Sequence, residues 1–259
     1  MIKKIINKFI SLFGYKLFKI NRDQKNLSFD DIYKKKIQEN PIIFDVGANR
    51  GQSIARFKKI FPKCVIHCFE PLDDEFLILK KNYSLDKSII LNNFALGEKI
   101  EKKKFYETVK SENSSFNKLK LNNKWLEIRS KQFNTTQENF VNHNKPKIVQ
   151  ILKLDDYCEK NDINFIDILK LDTSGFEYKV LIGSKKMITE NKISSIETEF
   201  MFDDIYEIKS SFYEFEKEII FNNFRIYAID HFKGFKNIFE HMFGVYALYF
   251  NDKNKKDEL

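Results

Sequence analysis

The chain has little cysteine, and the spacing of its three cysteines argues against both metal binding and a disulfide. Cys64, Cys68 and Cys158 include no pair at the short spacing of zinc ligands. Cys64 and Cys68 would lie on one face of a single predicted strand, about 13 Å apart, which is beyond the reach of a disulfide. Reduced thiols are typical of the cytoplasm, so the cysteines predict a cytoplasmic protein, and we assign no metal.

Arginine is also scarce, since only five of the 45 basic residues are arginine. The net charge of +8 therefore comes almost entirely from lysine. No zinc-finger spacing, recognition-helix pattern or RNP-like segment accompanies this charge. We therefore expect no nucleic-acid partner.

Long apolar runs are lacking as well. Residues 1–20 alternate apolar residues with five lysines at roughly helical spacing, a pattern too charged to span a bilayer. They predict a basic amphipathic extension over 1–38, either packed on its own domain or in peripheral contact with an anionic membrane surface. Only four prolines interrupt the chain, and no repeats are found, so 39–259 is predicted to form one domain.

A strand, a glycine turn and a helix are indicated near residue 45. An apolar run ends at Asp45 and is followed by Gly47, Gly51 and a stretch of helical spacing over 53–60. A second apolar run ends at Glu70, where a dinucleotide-type fold places the carboxylate that binds ribose hydroxyls. The pattern predicts a nucleotide-type cofactor site.

The glycine spacing indicates which cofactor this is. Gly47 and Gly51 stand in G-x-x-x-G order, not in the G-x-G-x-x-G order that brings a helix N-terminus against a pyrophosphate. A cofactor with ribose but no diphosphate is favoured. S-adenosylmethionine fits, with its ribose on Glu70 and its carboxylate over the amides of the glycine turn. Methyl transfer is the predicted chemistry, and a nicotinamide-dependent oxidoreductase is the weaker alternative.

Strand and helix patterns alternate through the rest of the domain. The apolar runs after Glu70 cover 89–94, 148–154, 165–172, 193–200, 224–229 and 245–250. No crossover helix is indicated between the last two runs. The pattern predicts an α/β fold with a mostly parallel seven-stranded sheet, an antiparallel edge hairpin and helices on both faces.

A polar segment over 102–144 interrupts this alternation. Insertions at the carboxyl ends of parallel strands usually carry the substrate specificity of such folds. We therefore predict a substrate-binding insertion, and the alternative is a surface loop.

Five short motifs follow one another along the chain. They read I-F-D-V-G-A-N-R-G-Q (43–52), C-F-E-P (68–71), N-F-A-L-G-E (93–98), K-L-D-D-Y (153–157) and I-D-I-L-K-L-D-T-S-G-F-E-Y-K-V-L-I-G-S (166–184). In this order they resemble the FkbM family of methyltransferases. The resemblance implies a class I, Rossmann-like methyltransferase fold with S-adenosylmethionine as donor. It also implies O-methylation of a hydroxyl on a sugar, glycan or glycolipid precursor, as in bacterial surface polysaccharides, or on a natural product.

The resemblance further implies the roles of individual residues. The cofactor residues would be Asp45, Gly47, Asn49 and Gly51 at the methionine end, Glu70 and Pro71 at the ribose, Asn93, Ala95 and Leu96 at the adenine, and Asp172 near the transferred methyl.

One acid that the resemblance implies is missing from this chain. The family usually reads D-V-E-G where this chain has Asp172-Thr173-Ser174-Gly175, so the acid expected at 174 is absent. If that acid serves catalysis in relatives, either Asp172 or Glu177 takes the role here, or the chain is a catalytically degenerate SAM-binding or regulatory module. A carboxylate that accepts the proton of a hydroxyl contributes about 100-fold in rate. The alternative for Asp172 is capping of the next helix.

The strand after this loop carries two more acids. Glu199 corresponds to a family acid, and Glu197 lies two residues earlier on the same face of the strand. Glu199 is therefore a third catalytic candidate. Both glutamates are candidates for binding substrate hydroxyls or, with Asp172, a divalent ion, although three carboxylates alone do not define a metal site.

Overall fold

The computed structural model describes residues 27–142, 144–202, 204–208, 212–231 and 243–254. The chain divides into two compact units, Met1–Lys36 and Ile37–Leu259. In the first unit, helix α1 (Phe29–Lys36) begins after Ser28, which exchanges hydrogen bonds with Asp31 in a capping arrangement. The amphipathic helix predicted over 1–20 lies outside the described residues.

The second unit carries the remaining described helices and all the described strands. The strands are β1 (Ile42–Val46), β2 (Val65–Phe69), β3 (Ile89–Asn92), β4 (Ala95–Leu96), β5 (Glu101–Phe105), β6 (Lys147–Leu152), β7 (Ile166–Leu171), β8 (Ile193–Met201), β9 (Phe224–His231) and β10 (Gly244–Asn251). The helices are α2 (Gln52–Ile60), α3 (Asp73–Tyr83), α4 (Lys124–Gln132), α5 (Gln137–Val141), α6 (Leu154–Lys160), α7 (Glu177–Ile182), α8 (Lys185–Thr189) and α9 (Phe212–Ile220). Within the described residues, no helix combines the length and the apolar character needed to cross a membrane.

Seven strands form the main sheet, in the order β3-β2-β1-β7-β8-β10-β9. The first five of these pair in parallel, whereas β10 runs antiparallel to both β8 and β9. This confirms the predicted mostly parallel seven-stranded sheet with an antiparallel hairpin at one edge. The strand order reverses between β1 and β7, and the carboxyl ends of parallel strands at such a switch point are where open α/β sheets bind ligands.

A second, three-stranded sheet has the order β4-β6-β5. The run predicted as a strand over 148–154 forms β6, but it belongs to this small sheet, in which β4 is parallel and β5 antiparallel to it. The reason is a separate apolar cluster, in which Val149 and Ile151 of β6 pack with Phe105, Phe116 and Phe176. The small sheet therefore builds a wall beside the ends of the main strands.

The main core buries a histidine. His67 lies on β2 near Phe44, and its Nδ1 is hydrogen bonded to the hydroxyl of Tyr157 on α6 at 2.8 Å. The aromatic rings of Phe44, Phe69 and Tyr157 pack around one another here. Burial lowers the pKa of His67 to about 4, because the cationic imidazolium loses its hydration inside the core.

This burial makes His67 a source of acid sensitivity. An unfolded histidine has a pKa of about 6.5, so the unfolded state binds more protons than the folded state between that pH and about 4. We expect the contribution of His67 to lower the free energy of unfolding by about 2 kcal/mol between pH 7 and pH 4.5. Urea unfolding at both pH values measures it, with His67→Gln as the control that cancels all other titrating groups. Equal pH dependence in the two proteins would contradict this expectation.

Candidate active site

The turn after β1 is held against the ends of two neighbouring strands. Gly47 has a left-handed backbone (φ 87°), and a Cβ added there would overlap the carbonyl oxygen of Asp172. The amides of Gly47 and Ala48 donate to the carbonyl oxygen of Phe69 at 3.0 and 3.1 Å. Because the fold uses these two amides, they do not serve a ligand carboxylate, which corrects that part of the sequence prediction.

A cleft opens where the carboxyl ends of β1, β2 and β7 meet. It encloses about 880 Å³ when the solvent at its mouth is included. The predicted cofactor residues that line it are Gly47, Asn49, Glu70, Pro71, Ala95, Leu96 and Asp172. The fold therefore brings residues of four separate motifs to one site.

Three predicted cofactor residues do not line this cleft. Asp45 is fully buried beneath it. Gly51 packs so closely on Tyr83 that an added Cβ would overlap the ring. The Asn93 side chain lies outside the cleft and donates to the backbone carbonyl of Glu70 at 3.1 Å. Burial, close packing or a hydrogen bond holds each of these residues in the surrounding fold, so they support the cleft without lining it.

Glu70 is fixed at the end of β2 by two backbone amides. Its Oε2 accepts from the amide of Asn49 at 2.9 Å, and its Oε1 accepts from the amide of Leu72 at 2.8 Å. The side chain is buried, and burial raises the pKa of Glu70 to about 7. The carboxyl group therefore faces the cleft in one orientation, with lone pairs left on both oxygens.

Helix α2 points its N-terminus at the same cleft. The first backbone hydrogen bond of this helix runs from the amide of Ala55 to the carbonyl oxygen of Gly51. The amides of Gln52 and Ser53 therefore have no acceptor within the helix. Both residues line the cleft. A helix N-terminus carries partial positive charge and binds carboxylates, so this end of the cleft suits an anionic group.

A buried lysine lines the cleft. Lys170 on the central strand β7 is 7% exposed, and its Nζ is 3.3 Å from Oδ1 of Asp45 and 3.0 Å from Oδ2 of Asp172. Burial lowers the pKa of Lys170, but Asp172, Asp45 and Glu197 outweigh this effect and raise it overall. The lysine is therefore a permanent cation that holds the carboxylate of Asp172.

Sequence reasoning missed Lys170 as a site residue. A signal was present, because a lysine within the strongly apolar run over 166–171 requires either a bulge or a buried partner. Parallel pairing supplies the partners, since Lys170 stands opposite Asp45 on β1 and Glu197 on β8. Neither neighbour can be read from the local sequence.

Asp172 is the catalytic candidate that reaches the cleft. It follows β7, its side chain is 36% exposed, and it lines the cavity. Helix α7 begins at Glu177 with Phe176 at its N-cap, so Asp172 does not cap that helix. The capping alternative for Asp172 is therefore wrong.

Glu177 is turned towards the loop that precedes it. Its Oε1 accepts from the amide of Thr173 at 2.7 Å, from the Thr173 hydroxyl at 3.0 Å and from the amide of Gly175 at 3.3 Å. Burial raises the pKa of Glu177 to about 7. It does not line the cleft. Its hydrogen bonds fix the loop between β7 and α7, whereas the sequence predicted a catalytic role for it.

The acids on β8 do not line the cleft either. Burial raises the pKa of Glu199 well above its ordinary value, and the nearby charges of Asp172 and Glu177 add to this rise. Glu197 forms a bidentate ion pair with Arg56 of α2, at 2.6 and 3.0 Å. Glu197 is therefore committed to the core, and Glu199 lies near Asp172 without lining the cavity.

The insertion over 102–144 packs against the site. It lines the cleft with Phe105, Ser111, Glu112, Ser114 and Phe116. It also has a core of its own, in which Trp125, Leu126 and Phe140 pack with Tyr206 from the segment after β8. The described part of the insertion is thus a folded wall of the cleft, and binding of a substrate there stays a prediction.

Comparison with known proteins identifies relatives of this chain. A family model described as the methyltransferase FkbM domain matches residues 45–226. The 2-O-methyltransferase NoeI of Sinorhizobium fredii (strain NBRC 101917 / NGR234) is 25% identical over 168 residues, which make up 65% of this chain and 66% of that protein. The chain thus spans slightly less than two thirds of this relative.

Two of the solved structures to which this chain is similar are methyltransferases. Methyltransferase FkbM from Methylobacillus flagellatus KT is 14% identical with a TM-score of 0.47, and the match covers 82% of this chain and 44% of that chain. A precorrin-6y C5,15-methyltransferase from Geobacter metallireducens GS-15 is 11% identical with a TM-score of 0.42, covering 89% and 94% of the two chains.

The buried lysine gives a stability prediction. We expect Lys170→Met to lower the free energy of unfolding by about 3 to 5 kcal/mol, because the fully buried Asp45 loses the cation beside it. Adding Asp45→Asn removes the uncompensated charge, so the double variant should regain part of this loss. Urea unfolding of the two single variants and the double variant measures the coupling. Strictly additive effects would show that the two side chains do not stabilise each other.

Proposed function

The chain belongs to the FkbM methyltransferase family, and we propose that it transfers a methyl group from S-adenosylmethionine to a hydroxyl of a sugar, glycan or glycolipid precursor. The observation that carries this proposal is the arrangement of the cleft. A buried carboxyl group and a helix N-terminus face it from one side, while the half-exposed carboxylate of Asp172 faces it from the end of the central strand. This arrangement suits a donor with a ribose and an acceptor with a proton to lose.

The residues present fit the donor. Each oxygen of Glu70 holds one backbone amide and keeps a lone pair for one of two vicinal ribose hydroxyls. The amides of Gln52 and Ser53 at the start of α2 would hold the amino acid carboxylate. Apolar groups of Leu72, Ala95 and Leu96 would border the adenine.

When bound, S-adenosylmethionine supplies a methyl group that its sulfonium already activates. The protein must then hold the acceptor oxygen in line with the methyl group. Orientation of this kind lowers the activation barrier by several kcal/mol, and ideal intramolecular reactions reach about 7 to 11 kcal/mol. Asp172 accepts the proton that the hydroxyl loses as its oxygen is methylated. Lys170 keeps the Asp172 carboxylate directed at the cleft through their 3.0 Å contact.

Two observations support a hydroxyl acceptor, namely the polar residues that line the cleft and the similarity to NoeI. Ser111, Glu112 and Ser114 of the insertion line the cleft, and hydroxyl and carboxylate groups of this kind bind the hydroxyls of a sugar. NoeI is described as a 2-O-methyltransferase, which also favours a hydroxyl acceptor. The three cysteines are buried and free, which supports action in a reducing compartment such as the cytoplasm.

A second candidate function is a module that binds the donor without catalysis. The serine at position 174, where the family motif has an acid, favours it. The two functions differ in one measurable respect, since both predict donor binding but only the first predicts a methylated product.

The donor assignment predicts specific binding. We expect calorimetric titration to show binding of S-adenosylhomocysteine and none of NAD. Glu70→Gln should weaken binding at least about tenfold, because a neutral amide cannot accept from two hydroxyls while also accepting from two backbone amides. Glu75→Gln is the matched control, since this buried acid pairs with Arg50 nearby and does not line the cleft. Equal weakening by both substitutions would argue against ribose binding by Glu70.

The catalytic role of Asp172 predicts a loss of turnover. With radiolabelled S-adenosylmethionine and a panel of methyl glycosides of common hexoses, Asp172→Asn should lower kcat about 100-fold with little change in S-adenosylhomocysteine affinity. Asp156→Asn changes an acid that pairs with Lys153 outside the cleft, and should leave kcat unchanged. Donor binding without any methylated sugar would instead favour the non-catalytic module.

A further inference from the structure

The structure shows what lies beside the serine that replaces the family acid. Ser174 is buried and has a left-handed backbone (φ 54°). Its hydroxyl donates to the carbonyl oxygen of Glu112 at 3.0 Å, and the hydroxyl of Ser115 donates to the carbonyl oxygen of Ser174 at 2.7 Å. Residues 111–115 of the insertion, here called the strap, are therefore fastened directly onto the loop after β7.

The strap brings an acidic residue to the cleft. Glu112 lines the same cavity as Asp172, and its side chain is 54% exposed. The third carboxylate that lines the cavity, that of Glu70, is held by two backbone amides at the end of β2. The insertion thus adds an acid, Glu112, next to the loop in which this chain has Ser174 in place of an acid.

Two contacts position the strap from either end. Asn49, in the turn after β1, donates its side-chain amide to the hydroxyl of Ser111 at 3.0 Å. Arg129 of α4 donates to Oδ1 of Asn113 at 2.9 Å and places its guanidinium 3.7 Å from Oε1 of Glu112.

Arg129 is itself fixed by the core of the insertion. Its side chain is 15% exposed, and its guanidinium lies over the rings of Trp125 and Phe133, at 5.8 and 5.1 Å from their centroids. A largely buried arginine that reaches towards a half-exposed glutamate restricts where that carboxylate points. The packing of the insertion therefore sets the position of the Glu112 side chain.

We propose that Glu112 supplies, from the insertion, the carboxylate that faces the methyl-transfer position and binds the acceptor hydroxyl in place of the acid absent at 174. This rests on the proposed function, since it assigns a residue to the acceptor side of that cleft. The only lysine lining the cleft in the described part of the chain, Lys170, is neutralised by two carboxylates. Glu112 and Asp172 each have one cation beside them, Arg129 at 3.7 Å and Lys170 at 3.0 Å. Because both cations are already paired with an acid, the acceptor side favours a neutral polyhydroxyl group over a phosphate or carboxylate next to the reacting oxygen.

Two donor analogues test the proposal without a known acceptor. S-adenosylhomocysteine has no group at the methyl position, whereas sinefungin carries an ammonium there. We expect Glu112→Gln to weaken sinefungin binding about fivefold and to leave S-adenosylhomocysteine affinity within about twofold, because only sinefungin places a charge opposite the carboxylate. Glu112→Lys should weaken sinefungin further.

A control variant and the possible outcomes distinguish the role of Glu112 from the proposed methyltransferase function. Glu127→Gln removes a glutamate from the same insertion that pairs with Lys124 and Lys131 outside the cleft, and it should change neither affinity. Thermal unfolding of each variant checks the fold, which the half-exposed position of Glu112 should preserve. Unchanged sinefungin affinity in both Glu112 variants, with S-adenosylhomocysteine still bound, would overturn only the role of Glu112. Failure of the wild-type protein to bind S-adenosylhomocysteine would overturn the proposed function and this proposal with it.

Discussion

The ion-pair network around Lys170 couples the core of this protein to its cleft. A lysine on the central strand loses its hydration, and it is tolerated there because Asp45 lies at 3.3 Å on one side and Asp172 at 3.0 Å on the other. The neighbouring ion pair between Arg56 and Glu197 ties helix α2 to the same face of the sheet. The network thus joins β1, β7, β8 and α2, the elements that surround the cleft.

Close backbone packing then sets the shape of the site. The loop after β1 lies so near the loop after β7 that Gly47 has no space for a side chain, and its amide is bound to the end of β2. This contact brings three strand ends together, which fixes the distance between the carboxyl group of Glu70 and that of Asp172. The cleft is therefore a property of the sheet, whereas its polarity comes from side chains added around it.

The insertion completes the cleft by attaching to both of these loops. Asn49 binds the strap on the β1 side, and Ser174 binds it on the β7 side. Ser174 stands where the resemblance places an acid, and its hydroxyl anchors the strap through the carbonyl oxygen of Glu112. In the folded chain this serine is therefore part of the wall of the cleft.

The sequence alone determined the architecture and one half of the site. Strand patterns, the glycine spacing and the carboxylate at Glu70 depend on residues close together in the chain, and local spacing specifies these features. Tertiary structure alone decided which acids face the cleft. Asp45 and Glu177 sit within the predicted motifs, yet one is paired with Lys170 and the other binds its own loop, whereas Glu112 was not predicted and lines the cavity. Ser174 and Glu112 are 62 residues apart, and only packing of the insertion onto the sheet brings them together. A buried charged side chain points towards the groups that can pair with it. Those groups come from distant parts of the chain.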